Sequence, residues 1–335
     1  MAKAEPTFAH PVGLDIGTSR IVSAMPAESG YEYRSQLNSF VTLPNSKMRE
    51  AVLRRENIPH TIVGSDILVH GNESERFADL LQMETRRPMS RGFINPSEPE
   101  SLSVMKQIIL SLIGPAKQPG QKACFSVPAA PIGASENLTY HEATLNQIFG
   151  ELGYAPKSIN EGLAVVFGEL ESSNYTGIGI SIGGGLCNVC LSYLAVPVTS
   201  YSITKAGDFV DSSTASVTGE LANRIRLAKE ESFVLTGGST DKVHQVLGVY
   251  YDDLIKSLVA SLKQHFGDTR SLPKLGRAVP LVLSGGSVMP RGFREKFETE
   301  LKMADLPLPI SEIRLADNPL LTTAKGALIA ALSEM

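Results

Sequence analysis

Two short glycine-bearing turns, far apart in the chain, have the residue types and spacing of a phosphate site. The first lies at Gly17 within the run Val12–Arg20, and the second is Gly183–Gly185 within the run Gly177–Asn188. Because glycine has no Cβ, the backbone N–H groups of such turns can approach phosphate oxygens closely. Two turns of this kind, one on each side of a ligand, predict a polyphosphate site.

A carboxylate and a third glycine pair complete the predicted site. Asp15 stands directly before the first turn, where its oxygens can hold the water ligands of a magnesium ion. The run Ser284–Ser287 follows an apolar strand and can supply a slot with close backbone access to a purine. Each piece alone is common in proteins. Their combination in this order predicts a nucleotide held between two lobes.

Strands and helices alternate around these turns. Each glycine turn lies between two β-like runs, which predicts a β-hairpin. Apolar periodicity and capping residues predict the other elements. The predicted strands are 123–127, 157–160, 197–204 and 279–283, and the predicted helices are one after Ser97, then 135–152, 162–170, 211–233, 241–266, one containing Phe293 and Phe297, and 319–332. This order predicts an α/β fold.

One segment, from about Tyr33 to Arg91, fits this alternation poorly. It holds short β-like runs at His60–Val63 and Ile67–Val69, and a basic pair, Arg86 and Arg87. We interpret the segment as a small excursion domain.

The composition limits the classes of partner. The chain has 335 residues, 42% of them hydrophobic and 20% charged, which is enough to fill the cores of two lobes. A net charge of −4 gives no indication of the basic surface that nucleic-acid binding requires. The first ten residues lack the pattern of a signal peptide, and no run approaches the roughly 18 apolar residues of a membrane span. We therefore expect a cytoplasmic protein without a nucleic-acid partner and without direct membrane insertion.

The three cysteines, Cys124, Cys187 and Cys190, are an odd number in a chain of this size. This argues against a disulfide framework. Cys187 and Cys190 form a C-x-x-C, but they enter a β-rich stretch where an odd offset points side chains to opposite faces. Buried structural thiols are the favoured interpretation, and a zinc site is not expected because no second Cys or His pair lies nearby.

Three segments resemble the nucleotide motifs of the superfamily of actins, sugar kinases and heat-shock chaperones. Leu14–Ser19 resembles the first phosphate motif, Ile182–Gly185 the second, and Leu283–Met289 the adenosine motif. The resemblance implies an α/β, actin-like ATPase fold, with two RNase H-like lobes around a nucleotide cleft.

Other segments narrow the resemblance to the bacterial actin-like proteins of the MreB and MamK type. It covers essentially the whole chain and is weak from about Tyr33 to Arg91. The segments that carry it are Ile159–Ala164, Thr204–Asp208, Ala228–Val234, Asn318–Leu320 and Lys325–Ala327.

The resemblance also implies domain bounds. Lobe I would comprise residues 1–160 and 319–335, with the small excursion, subdomain IB, at about 33–91. Lobe II would comprise 161–318. Its fourth subdomain, at about 230–275, would be reduced because residues 233–281 leave room for little more than one long helix.

Individual roles follow from the resemblance, with ATP or ADP and Mg²⁺ as the ligands. Asp15 would hold the hydrated magnesium, and Glu161 would position the attacking water. A carboxylate at a helix start is also favoured by the helix dipole, so a structural role for Glu161 stays open. The residues implied around the phosphates are Gly17, Thr18, Ser19, Arg20, Gly183, Gly184 and Gly185, and those around the base and ribose are Lys229, Glu230, Gly285, Gly286 and Met289.

The second phosphate motif departs from its usual form, D-I-G-G-G-T-T-D. Ser181 stands at the first Asp, and Leu186 stands at the first Thr. In the family these two groups help to organise magnesium and the attacking water. Losing a positioned polar group costs about 10²-fold or more in rate. We therefore expect nucleotide binding with slow or absent hydrolysis.

Two functions remain open for such a chain. One is a cytoskeletal protein that binds ATP and magnesium and assembles with copies of itself into filaments, with an organelle or a membrane-associated adaptor protein as a further partner. The other is a non-polymerising nucleotide-binding adaptor that resembles PilM. Ser181, Leu186 and the short fourth subdomain favour the adaptor. A sugar or acetate kinase is disfavoured, because the sequence offers no catalytic Asp for an acceptor pocket.

Overall fold

The computed structural model describes residues 9–133, 138–267 and 278–333. The strands in these ranges are β1 Val12–Ile16, β2 Arg20–Pro26, β3 Tyr31–Leu37, β4 Phe40–Pro44, β5 His60–Val63, β6 Asp66–His70, β7 Met89–Ser90, β8 Phe93–Ile94, β9 Gln121–Val127, β10 Tyr154–Asn160, β11 Gly177–Ile182, β12 Cys187–Tyr193, β13 Val196–Ile203, β14 Val279–Ser284 and β15 Ile310–Leu315. The α-helices are α1 Lys47–Arg55, α2 Asn72–Leu81, α3 Ser101–Ile113, α4 Leu138–Glu151, α5 Glu161–Glu169, α6 Gly207–Thr218, α7 Ala222–Ser232, α8 Lys242–Phe266, α9 Phe293–Ala304 and α10 Thr322–Ser333.

Two five-stranded sheets of the same design form the centres of two lobes. The order is β10-β9-β1-β2-β3 in lobe I and β13-β12-β11-β14-β15 in lobe II. In each sheet the central strand pairs antiparallel with its hairpin partner and parallel with the strand on its other side. The two hairpin turns therefore lie at the carboxyl ends of parallel strands, which is where α/β sheets commonly bind ligands.

Helices cover the outer face of each sheet with apolar side chains. In lobe I, Phe125 of β9 stacks on Phe149 of α4, with ring centroids 5.0 Å apart. In lobe II, α8 and α9 bury Leu254, Leu258 and Phe297 completely. Burial of this apolar surface is the main force that holds each lobe together.

Helices α5 and α10 pack closely between the two sheets. A Cβ on Gly326 would lie 1.8 Å from the carbonyl oxygen of Ala164, and one on Gly162 would lie 2.7 Å from the backbone nitrogen of Cys190. Only glycine fits at these two contacts. The two helices therefore fix how the sheets are placed relative to each other.

The excursion has its own small sheet, in the order β4-β6-β5. Helices α1 and α2 accompany the sheet, and a separate apolar cluster forms around Val41, Leu53 and Ile67. The predicted β runs at 60–63 and 67–69 are confirmed as β5 and most of β6.

Several predicted elements need correction. The helix predicted over 211–233 is two helices, because Gly219 adopts a φ of +81° and ends α6. The sequence pattern missed β3 and β15, which are edge strands with few fully buried residues. The C-terminal helix begins at Thr322 rather than at Pro319. The predicted start of α4 at Ser135 lies outside the described residues, and the helix is described from Leu138.

Lobe II carries a reduced fourth subdomain, as predicted. Only residues 233–241 join α7 to α8, and within the described residues lobe II has no counterpart of the excursion sheet. No helix in the described ranges has the length and apolar character that crossing a bilayer would require.

All three cysteines are buried, and none of them forms a disulfide. Burial raises the pKa of the Cys190 thiol to about 12 and raises that of Cys187 further. Thiols held in this neutral form are poor nucleophiles and poor metal ligands. This agrees with the interpretation that the C-x-x-C is structural.

Candidate nucleotide-binding site

A cavity of about 460 Å³ lies between the two lobes. Its volume is within the range of small-molecule sites, roughly 300–1,000 Å³. The structure brings every predicted site residue to this one cavity. Those residues are Asp15, Gly17, Thr18, Ser19, Arg20, Glu161, Gly183, Gly184, Gly185, Lys229, Glu230, Gly285, Gly286 and Met289.

The first hairpin is anchored from strand β9. The hydroxyl of Ser126 accepts a hydrogen bond from the backbone N–H of Ile16 and donates one to Asp15 Oδ1, both at 2.9 Å. The N–H of Gly17 donates to the carbonyl of Arg20 at 3.1 Å and closes the turn. The carboxylate of Asp15 is therefore fixed at the edge of the cavity before any ligand arrives.

The second hairpin is held by other parts of lobe II. The carbonyls of Gly183 and Gly184 accept hydrogen bonds from the first N–H groups of α6, at 3.0 and 2.8 Å. The hydroxyl of Ser287 donates to the carbonyl of Gly183 at 2.9 Å. Within the described chain, the N–H groups of Gly184 and Gly185 have no backbone acceptor. These two donors at the cavity wall fit the oxygens of a phosphate.

The two hairpins approach each other so closely that only glycine fits between them. A Cβ on Gly185 would lie 2.4 Å from Thr18 Oγ1 and 2.3 Å from the backbone nitrogen of Gly92. A Cβ on Gly184 would lie 2.2 Å from Ser19 Oγ. In addition, Thr18 Oγ1 accepts a hydrogen bond from the N–H of Gly92 at 3.0 Å. A side chain at Gly184 or Gly185 would force the lobes apart.

Two carboxyl groups, that of buried Glu161 and that of partly buried Asp15, face the space beside the hairpins. Glu161 is the first residue of α5, and the capping side chain of Asn160 fixes that helix start. Burial raises the pKa of Glu161, and the neighbouring Asp15 raises it further. Burial also raises the pKa of Asp15, against the lowering effect of Ser126. Two desolvated carboxyl groups of this kind are a place where a divalent cation would favour the ionised forms.

The donor set fits magnesium better than a metal held by protein alone. Among the described residues, no three His, Cys, Asp or Glu side chains form a group that could hold a metal ion. Mg²⁺ usually binds through one or two carboxylates and completes its shell with waters and substrate phosphates. Asp15, fixed at the cavity edge, fits this mode.

The opposite end of the cavity has the features of a base and ribose slot. On α7, Lys229 pairs with buried Asp211 at 2.8 Å, and Arg226 pairs with Glu230 at 2.9 Å. Gly285 faces them from the end of β14 with a φ of +93°. A Cβ there would lie 2.3 Å from the carbonyl of Ile182, so the turn requires glycine. These ion pairs give the slot polar walls of fixed geometry.

Leu186 and Ser181, which stand at the polar positions of the usual motif, make structural contacts. Leu186 is 3% exposed and lies against Gly92 of lobe I, where an added Cβ would be 2.3 Å from Leu186 Cδ1. Ser181 Oγ donates to Glu161 Oε2 at 3.3 Å. A leucine offers no hydroxyl to a water at this position. The structure thus shows an apolar contact between the lobes at the position where the motif D-I-G-G-G-T-T-D has a threonine.

Sequence reasoning missed Asn188. Its Nδ2 donates to Glu161 Oε2 at 2.8 Å, and its Oδ1 accepts from the N–H of Ala129 at 2.9 Å. An aspartate could not donate to Glu161. The sequence could have indicated this role by position, because Asn188 stands where the usual motif D-I-G-G-G-T-T-D has its last Asp.

Sequence reasoning also missed an ion pair that crosses the cleft. Arg87 of lobe I contacts Asp208 at the start of α6, with Nη1 and Oδ1 2.7 Å apart. The sequence shows the basic pair Arg86–Arg87, but nothing near this pair indicates that Arg87 has a partner 121 residues away.

Comparisons with known proteins agree with this fold. The family model described as Volactin matches residues 11–331. No curated protein sequence matches the chain. Among solved structures, the MamK double helical filament is 20% identical, with a TM-score of 0.71 and coverage of 97% of this chain and 98% of that one.

Two further solved structures share the architecture. MreB 5 of Spiroplasma citri bound to AMPPNP is 14% identical, with a TM-score of 0.69 and coverage of 97% of this chain and 96% of that one. The ethanolamine utilization protein EutJ from Carboxydothermus hydrogenoformans is 13% identical, with a TM-score of 0.57 and coverage of 97% and 92%. Together these likenesses confirm the predicted actin-like ATPase fold.

Proposed function

The chain belongs to the volactin family, and we propose that it binds ATP with magnesium and assembles into filaments while hydrolysing the nucleotide slowly. One observation carries the proposal. Both glycine hairpins, the Asp15 and Glu161 carboxylates and the α7 ion pairs line a single cavity between the lobes. The similar solved structures of the MamK filament and of MreB 5 with AMPPNP support filament assembly and nucleotide binding, respectively.

The proposed binding mode divides the cavity between phosphate and nucleoside. The N–H groups of Gly184 and Gly185 would hold phosphate oxygens, and Asp15 would hold water ligands of the magnesium ion. Magnesium supplies charge neutralisation for the phosphates when bound. Lys229 and Glu230 would border the base and ribose, opposite Gly285, Gly286 and Met289.

Slow hydrolysis follows from the surroundings of Glu161. Its Oε2 already accepts hydrogen bonds from Asn188 and Ser181, so one carboxylate oxygen remains for an attacking water. A hydroxyl at Ser181 and an amide at Asn188 supply no second base. Leu186 presents methyl groups where a hydroxyl would help to orient that water. Glu161 is thus left as the single group proposed to position it.

Self-association is supported by exposed apolar side chains at the end of lobe II away from the cleft. Strand β12 runs from the phosphate hairpin to Tyr193, so the turn after it lies at the far end of the sheet. Leu194 and Val196 are 48% and 63% exposed there. Leu194 and Ala195 have φ values of +52° and +67°, which residues other than glycine seldom adopt. Exposed apolar residues kept in a strained turn indicate a functional contact.

The excursion of lobe I, which lies at the cleft end of its sheet, also exposes apolar side chains. It branches from the cleft end of β3, and its helices expose Met48 and Leu80 to 81% and 71%. A contact between unlike ends of two copies does not close on itself, so it generates a filament. This pairing of ends is part of the proposal.

Light scattering with parallel negative-stain microscopy tests the proposal. The purified protein should form filaments with ATP and magnesium, and also with AMPPNP. The double variant Leu194→Asn with Ala195→Gly should lose filaments without a fall in melting temperature, because Asn-Gly suits a turn with two positive φ values. Val249→Asn, which changes an apolar residue of α8 that is 65% exposed, should still assemble.

The adaptor function remains the second candidate, and the replaced groups at Ser181 and Leu186 favour it. Wild-type protein that binds ATP but stays monomeric at every concentration in the same experiment would support the adaptor and contradict the filament proposal.

A further inference from the structure

The excursion of lobe I makes polar contacts with lobe II across the mouth of the cleft. We call these contacts the clasp. Its members are the ion pair Glu75–Arg226, the hydrogen bond from Arg224 Nη2 to Gln82 Oε1 at 2.8 Å, the hydrogen bond from the N–H of Ala222 to Glu84 Oε1 at 3.1 Å, and the ion pair Arg87–Asp208 at 2.7 Å.

Three of these contacts end on the first turns of α7. The same helix lines the nucleotide cavity a few residues later, through Lys229 and Glu230. Arg226 belongs to both regions, because it pairs with Glu75 across the cleft and with Glu230 on its own helix. The clasp and the nucleoside slot therefore share one rigid element.

The reduced fourth subdomain explains why this contact can form. Residues 233–241 connect α7 directly to α8, and no described sheet of lobe II stands between the excursion and α7. The excursion reaches the helix itself. Its side chains at Glu75, Gln82 and Glu84 all meet α7.

The contacts differ in their degree of burial. The side chain of Arg226 is 8% exposed and that of Glu75 is 25% exposed, so this pair is largely removed from water. The hydrogen bond between Arg224 and Gln82 is exposed. A desolvated charge pair contributes more to holding an interface closed than an exposed contact does. The Glu75–Arg226 pair is therefore the main member of the clasp.

We propose that the clasp sets how long a nucleotide stays in the cleft. The inference rests on the proposed nucleotide binding and assigns a role to the excursion. A ligand enclosed between the lobes can leave only after they separate, and separation requires the clasp contacts to break. The rate of nucleotide release is then limited by the clasp rather than by the contacts of the ligand alone.

Stopped-flow displacement of a fluorescent ATP analogue from the full chain, with magnesium present, tests this inference. Glu75→Gln should speed dissociation about tenfold, because removing one charge of a buried pair acts mainly on the dissociation rate. Glu73→Gln is the matched control on the same first turn of α2. Glu73 pairs within the helix with Arg76 at 2.7 Å, and among the described residues it forms no ion pair with lobe II. It should leave the rate unchanged.

Salt and a second variant make the result decisive. Rising ionic strength should speed release from the wild type only slightly more than from Glu75→Gln, since salt screens a largely buried charge pair weakly. If Glu75→Gln does not fold, Gln82→Ala removes an exposed clasp contact without disturbing a core and should speed release about twofold.

The possible outcomes separate this inference from the one on which it rests. Equal dissociation rates for wild type, Glu75→Gln and Gln82→Ala would overturn the clasp while leaving nucleotide binding intact. A wild type that binds none of the analogue would overturn the proposed function, and the clasp inference with it.

Discussion

The two phosphate hairpins share one backbone design and differ in their side chains. In lobe I, the turn follows Asp15, whose carboxylate is held by Ser126. In lobe II, the equivalent position, the last but one of β11, is Ser181, and Leu186 completes the turn. Both turns lie at the carboxyl end of a central strand that pairs parallel with its neighbour. Of the two hairpins, only that of lobe I carries a carboxylate that can serve magnesium.

From this difference we propose that nucleotide binding and nucleotide hydrolysis depend on separate parts of the site. Binding requires backbone N–H groups and close approach of the hairpins, which glycine and strand pairing provide in both lobes. Hydrolysis would require polar side chains that orient a water, and lobe II has a serine, a leucine and an amide at the positions proposed for them. Four variants test this separation, each acting on one hairpin or on Glu161 between them.

The largest effect is expected from Gly185→Val. Its Cβ would meet the backbone nitrogen of Gly92 at 2.3 Å, so the lobes could not close and ATP binding should be lost. Isothermal titration calorimetry measures this. Gly150→Val, on an open face of α4 where an added Cβ meets nothing, is the folding control. Full affinity in Gly185→Val would contradict the described approach of the hairpins.

Restoring the polar groups of lobe II should produce the next largest effect. Ser181→Asp with Leu186→Thr should raise phosphate release by about 10²-fold, the size of effect expected for a positioned polar group. The measurement is phosphate release at saturating ATP. Adding Glu161→Gln to the double variant should remove the gain. An unchanged rate in the double variant would mean that the geometry of lobe II differs from an active site in more than these side chains.

Removing the charge of Asp15 in lobe I should have a smaller effect on the affinity for ATP, and only when magnesium is present. Asp15→Asn keeps an acceptor for Ser126 but removes the charge. Affinity for ATP should fall about 10- to 100-fold with magnesium, since a hydrogen bond to a charged group contributes about 1.5–3 kcal/mol. Wild type and variant should bind alike in the presence of a chelator. An equal affinity with magnesium would contradict the proposed role of Asp15.

The smallest effect is one of stability and concerns Glu161. Its raised pKa means that the folded state disfavours the ionised carboxylate. The stability of the wild type should therefore fall as the pH rises above the ordinary glutamate value of 4.5 towards the raised pKa. Glu161→Gln has no such loss, so its melting temperature in magnesium-free buffer should exceed that of the wild type at neutral pH and match it in acid.

If wild type and Glu161→Gln had the same melting temperature both in acid and at neutral pH, this would contradict the desolvation of Glu161. The comparison requires magnesium-free buffer because a bound cation would itself favour the ionised carboxylate.

Local patterns were sufficient to predict much of the fold and of the site. Glycine turns between apolar strands fixed the two hairpins, since the backbone conformation at such a turn depends mainly on its own residues. The spacing of apolar residues predicted one long helix at 241–266, and the structure has this helix, α8, at 242–266. Every residue assigned to the site from its motif lines the cavity.

The remainder depended on contacts between distant segments. The cleft-crossing pair Arg87–Asp208 joins residues that lie in different lobes. Asn188 acquires its role only when β12 brings it beside Glu161. The edge strand β15 has few fully buried residues, so its apolar period was weak. Tertiary packing decides such features, and a single sequence does not display it.

A single-turnover experiment tests most directly the claim that binding is retained while hydrolysis is slow. Protein in excess is mixed with magnesium and ATP labelled at the terminal phosphate, and bound label and free phosphate are measured in the same samples over time. We predict that the label stays on the protein as intact ATP long after binding is complete. Label that never binds, or that is released as phosphate as fast as it binds, would contradict the account.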